Sequence, residues 1–146
     1  MGQYHYLVNL SKKEYVHPHQ IGNGLKLLEQ VGWEHSTSTA LVMLLAASNG
    51  EGGRGGGDFR SGDKLIGSWA GDKIAFIGDY AETTDIPGVD NEGQEYNAVK
   101  IYEEIEHNKK TWKNISSQVR KMMSKEFNIV YKGEKDSWLE IVENTK

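Results

Sequence analysis

The sequence predicts an α+β domain in which a small mixed or antiparallel sheet, built from hairpins, packs against about four helices. Three observations carry the prediction. A chain of 146 residues has the size of one domain with one core. Short apolar and aromatic runs bounded by turn residues occur at 4–16 and again at 65–77, which is hairpin patterning. Longer stretches carry apolar residues three and four apart, which is helical patterning. Residues 1–146 are therefore read as a single globular domain with flexible loops at 49–62 and 81–95.

Tyr4 to Leu10 is apolar and aromatic enough for a strand, and Glu14-Tyr15-Val16 returns as its hairpin partner across a polar turn. His17-Pro18-His19 ends the pairing, because Pro18 has no ladder donor. Gly22 and Gly24 mark a turn, and Leu25, Leu28 and Val31 lie at helical spacing in a short helix. Ser36 or Ser38 caps a helix running to about Ala47. It is apolar all round and so is expected to be the central buried one, with Asn49-Gly50 as its left-handed stop.

Leu65–Trp69 and Lys73–Ile77 read as a second hairpin turning at Ala70-Gly71-Asp72. Ala81 to Gln94 is acidic, has no base and contains Pro87-Gly88, so a mobile surface loop is expected. Ala98, Ile101, Tyr102 and Ile105 define an amphipathic helix. Ile115, Val119, Met122, Met123 and Phe127 define another, with Asn114 as its cap. Asn128 to Tyr131 is read as an edge strand. Asp136 caps a last short helix carrying Trp138, Leu139 and Val142.

Composition narrows the function classes. Hydrophobic content of 37% and charged content of 26% argue against wholesale disorder. A net charge of −4 disfavours a nucleic-acid partner. The charge is uneven: residues 36–99 hold four bases and ten acids, whereas residues 100–135 hold nine bases and five acids. Such runs mostly mark solvated faces, and a basic face can also meet an acidic partner. With no cysteine there are no disulfides, thiolate metal sites or cysteine nucleophiles, and a reducing compartment fits. The N-terminus has no signal-peptide pattern, and the longest apolar run, Ala40 to Ala47, is too short to span a bilayer. A cytoplasmic location without a membrane partner is expected, and the oligomeric state is left open.

The least ordinary segment is Asn49 to Asp58, where six of the eight residues Gly50 to Gly57 are glycine. Ordering such a run is costly unless the backbone must adopt positive φ or approach a ligand closely. Gly50-x-Gly52-x-x-Gly55 matches the dinucleotide fingerprint in form only, because no convincing helix follows it. A nest of backbone amides with Arg54 and Arg60 as fork donors would hold an anion, against the plainer reading of a flexible linker. If the turn at 70–72 sets the hairpin register, Asp63 falls near Asp79, and Arg54, Asp58, Arg60, Asp79 and Tyr80 share one rim. Asp72, about 20 Å from Asp79 at roughly 3.3 Å per residue, is a turn residue and not its catalytic partner. His17 and His19, with His5 across the hairpin, are weighed as metal ligands against surface or hydrogen-bonded histidines, and the latter are preferred. Asp58, Asp63 and Asp79 are weighed in the same way as a hydrated magnesium site. No nucleophile elbow and no zincin motif is present, and no metal or cofactor is expected.

Several blocks follow one another in order: Met1-Gly2-Gln3-Tyr4, Val8-Asn9-Leu10, Lys13-Glu14-Tyr15, His17-Pro18-His19, Gly24-Leu25-Lys26-Leu27, Gly55-Gly56-Gly57-Asp58, Gly67-x-Trp69-Ala70-Gly71-Asp72 and Gly78-Asp79-Tyr80-Ala81. Together they resemble a family of small uncharacterised phage and bacterial proteins that open with MGQYY, with His5 in place of the second Tyr. The likeness covers roughly residues 1–82 plus a looser Lys113-Asn114-Ile115-Ser116. It brings no activity and no catalytic residue. What it implies is a phage-type setting, in the host cytoplasm, where small proteins act on host machinery.

The leading expectation is thus a binding protein that sequesters a small anionic, nucleotide-derived signal as a counter-defence sponge. The amides of Gly55, Gly56 and Gly57 and the guanidiniums of Arg54 and Arg60 would hold phosphate. Trp69 or Tyr80 would stack on a base, and Asp58 or Asp79 would accept ribose hydroxyls. Two rivals stand beside it: a metal-assisted nucleotide hydrolase or phosphodiesterase using the aspartates or His17 and His19, and an inhibitor that binds a host protein through basic helices carrying Lys121 and Lys125.

Overall fold

Leu7 and Val8 pack to opposite sides of the strand that organises the chain. A computed structural model describes residues 4–22, 25–32, 34–47, 59, 61–132 and 140–143. Strand β1 (His5–Asn9) pairs antiparallel with β2 (Glu14–Val16), Leu7 opposite Val16, and on its other edge with β3 (Ile74–Gly78), Leu7 opposite Phe76. β4 (Lys113–Asn114) adds parallel to β2, giving a mixed sheet in the order β3-β1-β2-β4. A separate two-stranded ribbon joins β5 (Ile129–Lys132) and β6 (Glu140–Glu143).

Because side chains alternate along a strand, a central strand buried on both faces must be apolar throughout and feed two cores. Leu7 and Val16 point into a core with Ile21, Trp69, helix α1 (Thr37–Leu45) and helix α3 (Ser116–Phe127). Tyr6, Val8, Tyr15 and Ile77 enter a second core with helix α2 (Ala98–Glu106), Ile86 and Trp112. The hairpin turn is fixed by Asn9, whose Oδ1 accepts from Lys12 N (2.8 Å) and whose Nδ2 donates to Asp72 (2.8 Å). Lys12 pairs with the same carboxylate. Donors from Lys12 and then Asn9 hold the Asp72 carboxyl below its usual range. Asp72 thus braces the β1–β2 turn and is not the turn of a 65–77 hairpin.

The first hairpin, the break at His17-Pro18-His19, the helices built on Ala98–Ile105 and Ile115–Phe127, and a strand after Asn128 are all present. Asn114 is not the N-cap of α3, a position taken by Ile115 without a side-chain bond; Asn114 ends β4, and its Oδ1 accepts from Ser116 N at 2.9 Å.

Five further readings need correction. Leu65–Trp69 is not a strand: it is a run of turns, Ser68 N to Leu65 O (3.0 Å) and Ala70 N to Gly67 O (3.1 Å). The reason lies at the end of α1, whose last carbonyls have no intrahelical donor. Gly67 N supplies one to Met43 O and Trp69 N one to Leu44 O, both at 2.9 Å. β3 therefore pairs with β1, not with 65–69. Second, 25–31 holds only a 3-10 turn, Leu27–Gln30, with Leu28 82% and Val31 57% exposed. Gln30 is the buried residue there, its amide donating to His5 O and Leu25 O, so backbone satisfaction overrides the apolar spacing. Third, α1 is not enclosed on every side, since Val42 is 62% exposed. Fourth, 140–143 is strand β6 rather than the end of a helix; Asp136, Trp138 and Leu139 lie outside the described residues. Fifth, the described residues hold three α-helices, fewer than about four.

The 81–95 segment is a series of hydrogen-bonded turns. Asp90 Oδ1 accepts from Glu92 N and Gln94 N, and Ile86 is buried against α2 and its neighbours. None of the described helices is long and apolar enough to cross a membrane.

Gly67 and Gly71 give a paired stability test. Both have positive φ, +79° and +83°, but a Cβ on Gly67 would lie 2.5 Å from Ala46 O while one on Gly71 meets nothing within 4 Å. Gly71→Ala should cost the left-handed backbone penalty, roughly 1–2 kcal/mol. Gly67→Ala should cost at least about 1 kcal/mol more, because it also displaces the strap that closes α1. Urea unfolding measures both, and equal losses would refute the close-approach account.

Candidate functional site

Of the residues singled out in the sequence, Arg54, Gly55, Gly56, Gly57, Asp58 and Arg60 lie outside the described residues. Trp69 is fully buried in the α1/α3 core, with its indole Nε1 donating to Glu14 (2.8 Å). Both ring faces are covered by protein, so base stacking is not available to it. Asp79 and Tyr80 follow β3, and Tyr80 is 72% exposed. Asp79 is tied to the start of β1: Tyr4 N donates to its carboxylate (3.1 Å) and its own amide donates to Tyr4 O (2.9 Å). Asp63 is tied elsewhere, to Lys125 of α3 at 3.1 Å. The shared rim inferred from a 65–77 hairpin therefore loses its basis, because that hairpin does not form.

A different set of side chains converges where β2 ends. Beyond Val16, Pro18 stops the ladder and starts a 3-10 turn, Pro18–Ile21. His17, just past the end of β2, keeps its backbone N–H satisfied by donating to Ser116 Oγ (2.8 Å). Gln20 Oε1 accepts from Asn114 Nδ2 (2.9 Å), joining this turn to the end of β4. The C-terminal end of α2 closes the other side. The result is a cleft of about 360 Å³ lined by Tyr6, Tyr15, His17, Gln20, Glu106 and the neighbouring Asn108 and Asn114.

Its centre is a phenol–carboxylate arrangement. Tyr6 Oη donates to Glu106 at 2.7 Å, and Tyr102 lies beside the same carboxylate. The Tyr6 ring meets His17 edge-on at 5.1 Å and Tyr102 at 5.1 Å, with Tyr15 at 6.1 Å. Burial, then Glu106 as acceptor and charge, pushes the Tyr6 hydroxyl far above its ordinary value. Burial and the charge of Glu106 do the same to Tyr102, and Asp79 adds to it. Both phenols are firm proton donors. His19, stacked near His17 at 5.6 Å, is shifted down by burial, with Glu29 opposing.

Chemically the cleft offers carboxamides that donate and accept, a carboxylate that accepts, aromatic edges, and no cation among the lining residues. That suits a neutral, ring-bearing ligand rich in hydrogen-bond donors. Among the described residues no three His, Asp or Glu side chains are grouped to hold a metal ion. His17 packs against Tyr6 and against His19.

The chain matches no family model, no curated protein and no solved structure. The cleft is read on its geometry alone. Sequence reasoning passed over Tyr6, Tyr15, Tyr102, Glu106, Gln20, Asn108 and Asn114. The hairpin register held a usable signal, since Tyr6 and Tyr15 share a face and His17 extends the same row. Glu106 comes from a helix about a hundred residues away and had no local signature.

Raised phenol pKa values make a pH prediction. The folded chain keeps Tyr6 protonated above its ordinary value of 10.0, while the unfolded chain releases that proton. The stabilising contribution is complete below pH 10 and is lost as pH rises further, with a slope of about 1.4 kcal/mol per pH unit for this one group. Urea unfolding above pH 10 should show a stability loss that is shallower by that amount in Tyr6→Phe. An unchanged slope would refute the assignment.

Proposed function

We propose that the protein is a small-ligand-binding protein that sequesters a nucleotide-derived signal, and that the base-and-ribose part enters the cleft at the end of β2. The observation that carries this reading is the Glu106 carboxylate held by Tyr6 and flanked by Tyr102, beside the carboxamides of Gln20, Asn108 and Asn114. Carboxamides read the donor–acceptor edge of a base, and a carboxylate accepts from sugar hydroxyls or an exocyclic amine. His17, the half-buried ring among the aromatic liners, takes the stacking role that the sequence suggested for Trp69. The absence of a lining cation favours a neutral head group within the cleft. The resemblance to small phage proteins supports sequestration over turnover.

The hydrolase alternative needs a metal, and no observation among the described residues favours one: Asp63 is engaged by Lys125 and Asp79 by Tyr4.

Thermal shift against nucleosides, nucleotides, cyclic nucleotides and ADP-ribose derivatives tests the reading. A true ligand at a hundredfold excess over Kd should stabilise the fold by about 2.7 kcal/mol, and mass spectrometry should recover it intact. Glu106→Gln should weaken binding about tenfold, equivalent to roughly 1.4 kcal/mol. Failure of the whole panel, or unchanged affinity in Glu106→Gln, would overturn the assignment; a processed ligand would favour the hydrolase.

A further inference from the structure

The opposite charge sits on the other core layer. Along α3, Ser117, Arg120, Lys121, Ser124 and Lys125 recur at helical spacing and so share one face. Together with β5 they line a groove of about 470 Å³ to which no acidic side chain contributes among the described residues. Three cations without a carboxylate among the liners repel one another, and such a face is stabilised by an anion.

The cations are not consumed internally. Lys125 contacts Asp63, but its ammonium has two further donors. Arg120 spends one Nη1 bond on Gln20 O (2.8 Å) and forms no ion pair among the described residues. Nor is any ion pair formed there by Lys121. The neighbouring Tyr131 lines the same groove, and its hydroxyl is buried with no hydrogen-bond partner. Leaving a buried donor unmet is costly, and such a group is a common mark of a missing ligand or ion. Burial drives the Tyr131 hydroxyl well above its ordinary pKa against the pull of Arg120, so it is a donor at neutral pH.

We infer that the α3–β5 groove is a second binding site, one that takes a phosphate-type oxyanion on Arg120 and Lys121 with Tyr131 as a buried donor. Ser124 adds a neutral hydroxyl on the same helix face, which a tetrahedral oxyanion with several acceptors can use together with the cations. The site differs from the Glu106 cleft in charge and in liners, and the two adjoin through Gln20, whose carbonyl accepts from Arg120. It stands whether or not a nucleoside occupies that cleft.

The probes are inorganic phosphate and pyrophosphate, titrated into the full chain at low and at physiological ionic strength and followed by NMR. Saturable binding is expected, with the largest shifts at Arg120, Lys121 and Ser124. Lys121→Glu should weaken it about tenfold or more, as expected for a lost charged hydrogen bond. Tyr131→Phe is the sharper arm, because removing an unpartnered hydroxyl should leave thermal stability unchanged or higher while lowering phosphate affinity. A purely structural tyrosine would leave affinity as it was. Phosphate binding that does not saturate overturns the inference, as does equal binding in wild type, Lys121→Glu and Tyr131→Phe.

Discussion

Burial of β1 on both faces is the constraint from which the rest of the molecule follows. A strand with one wet face can alternate polar and apolar residues, but β1 cannot, because α1 and α3 cover one side and α2 the other. Tyr6, Leu7, Val8 and Asn9 are all buried, and only Asn9 is strongly polar. A buried carboxamide is tolerable only when both its ends are satisfied. Asn9 meets that condition by accepting from Lys12 N and donating to Asp72, so it fixes the β1–β2 turn and the entry to β3 together. The two strand partners of β1 are thus tied to one side chain at one end of the sheet.

The other end of the sheet is where polarity accumulates, for a related reason. Once Pro18 stops β2, the backbone groups there need partners from outside the ladder. Ser116 supplies one to His17 N, Asn114 bonds the Gln20 side chain, and Arg120 bonds the Gln20 carbonyl. Tyr6 belongs to the apolar layer by its ring and to this polar end by its hydroxyl. Its bond to Glu106 draws the end of α2 across the sheet. The cleft is the space left between these obligations, which is why its walls are mostly carboxamides, phenols, an imidazole and a carboxylate, with Ile105 the aliphatic liner.

Local patterns account for what the sequence disclosed. The first hairpin, α2 and α3 were legible because each is specified by its own periodicity. Leu65–Trp69 misled because β-type residues there are held by carbonyls of Met43 and Leu44, more than twenty residues earlier in the chain. Leu28 and Val31 misled because Gln30, between them, is the side chain that His5 and Leu25 need. The final segment reads as a helix by Trp138, Leu139 and Val142, yet β5 recruits 140–143 as a strand. The site was less legible than the fold. Trp69 looked available for stacking because its indole partner, Glu14, is fifty-five residues away. Glu106 drew no attention because one acid on a charged helix is unremarkable until Tyr6 meets it.

Gln20 connects the two charged regions in a way neither region shows alone. Its side chain is fixed by Asn114 inside the acidic cleft, and its carbonyl is fixed by Arg120 at the basic groove. The 3-10 turn that carries it has only four residues and no side-chain cap of its own. A turn that short is held by outside contacts rather than by its internal hydrogen bonds. The wall of the cleft therefore depends on the guanidinium of Arg120, a residue whose remaining donors face a groove without carboxylates. An oxyanion that draws on those donors acts on the same side chain that steadies Gln20. The first turns of α3 consequently carry both a cap for the sheet end and the charge of the second site, and neither can be altered without reaching the other.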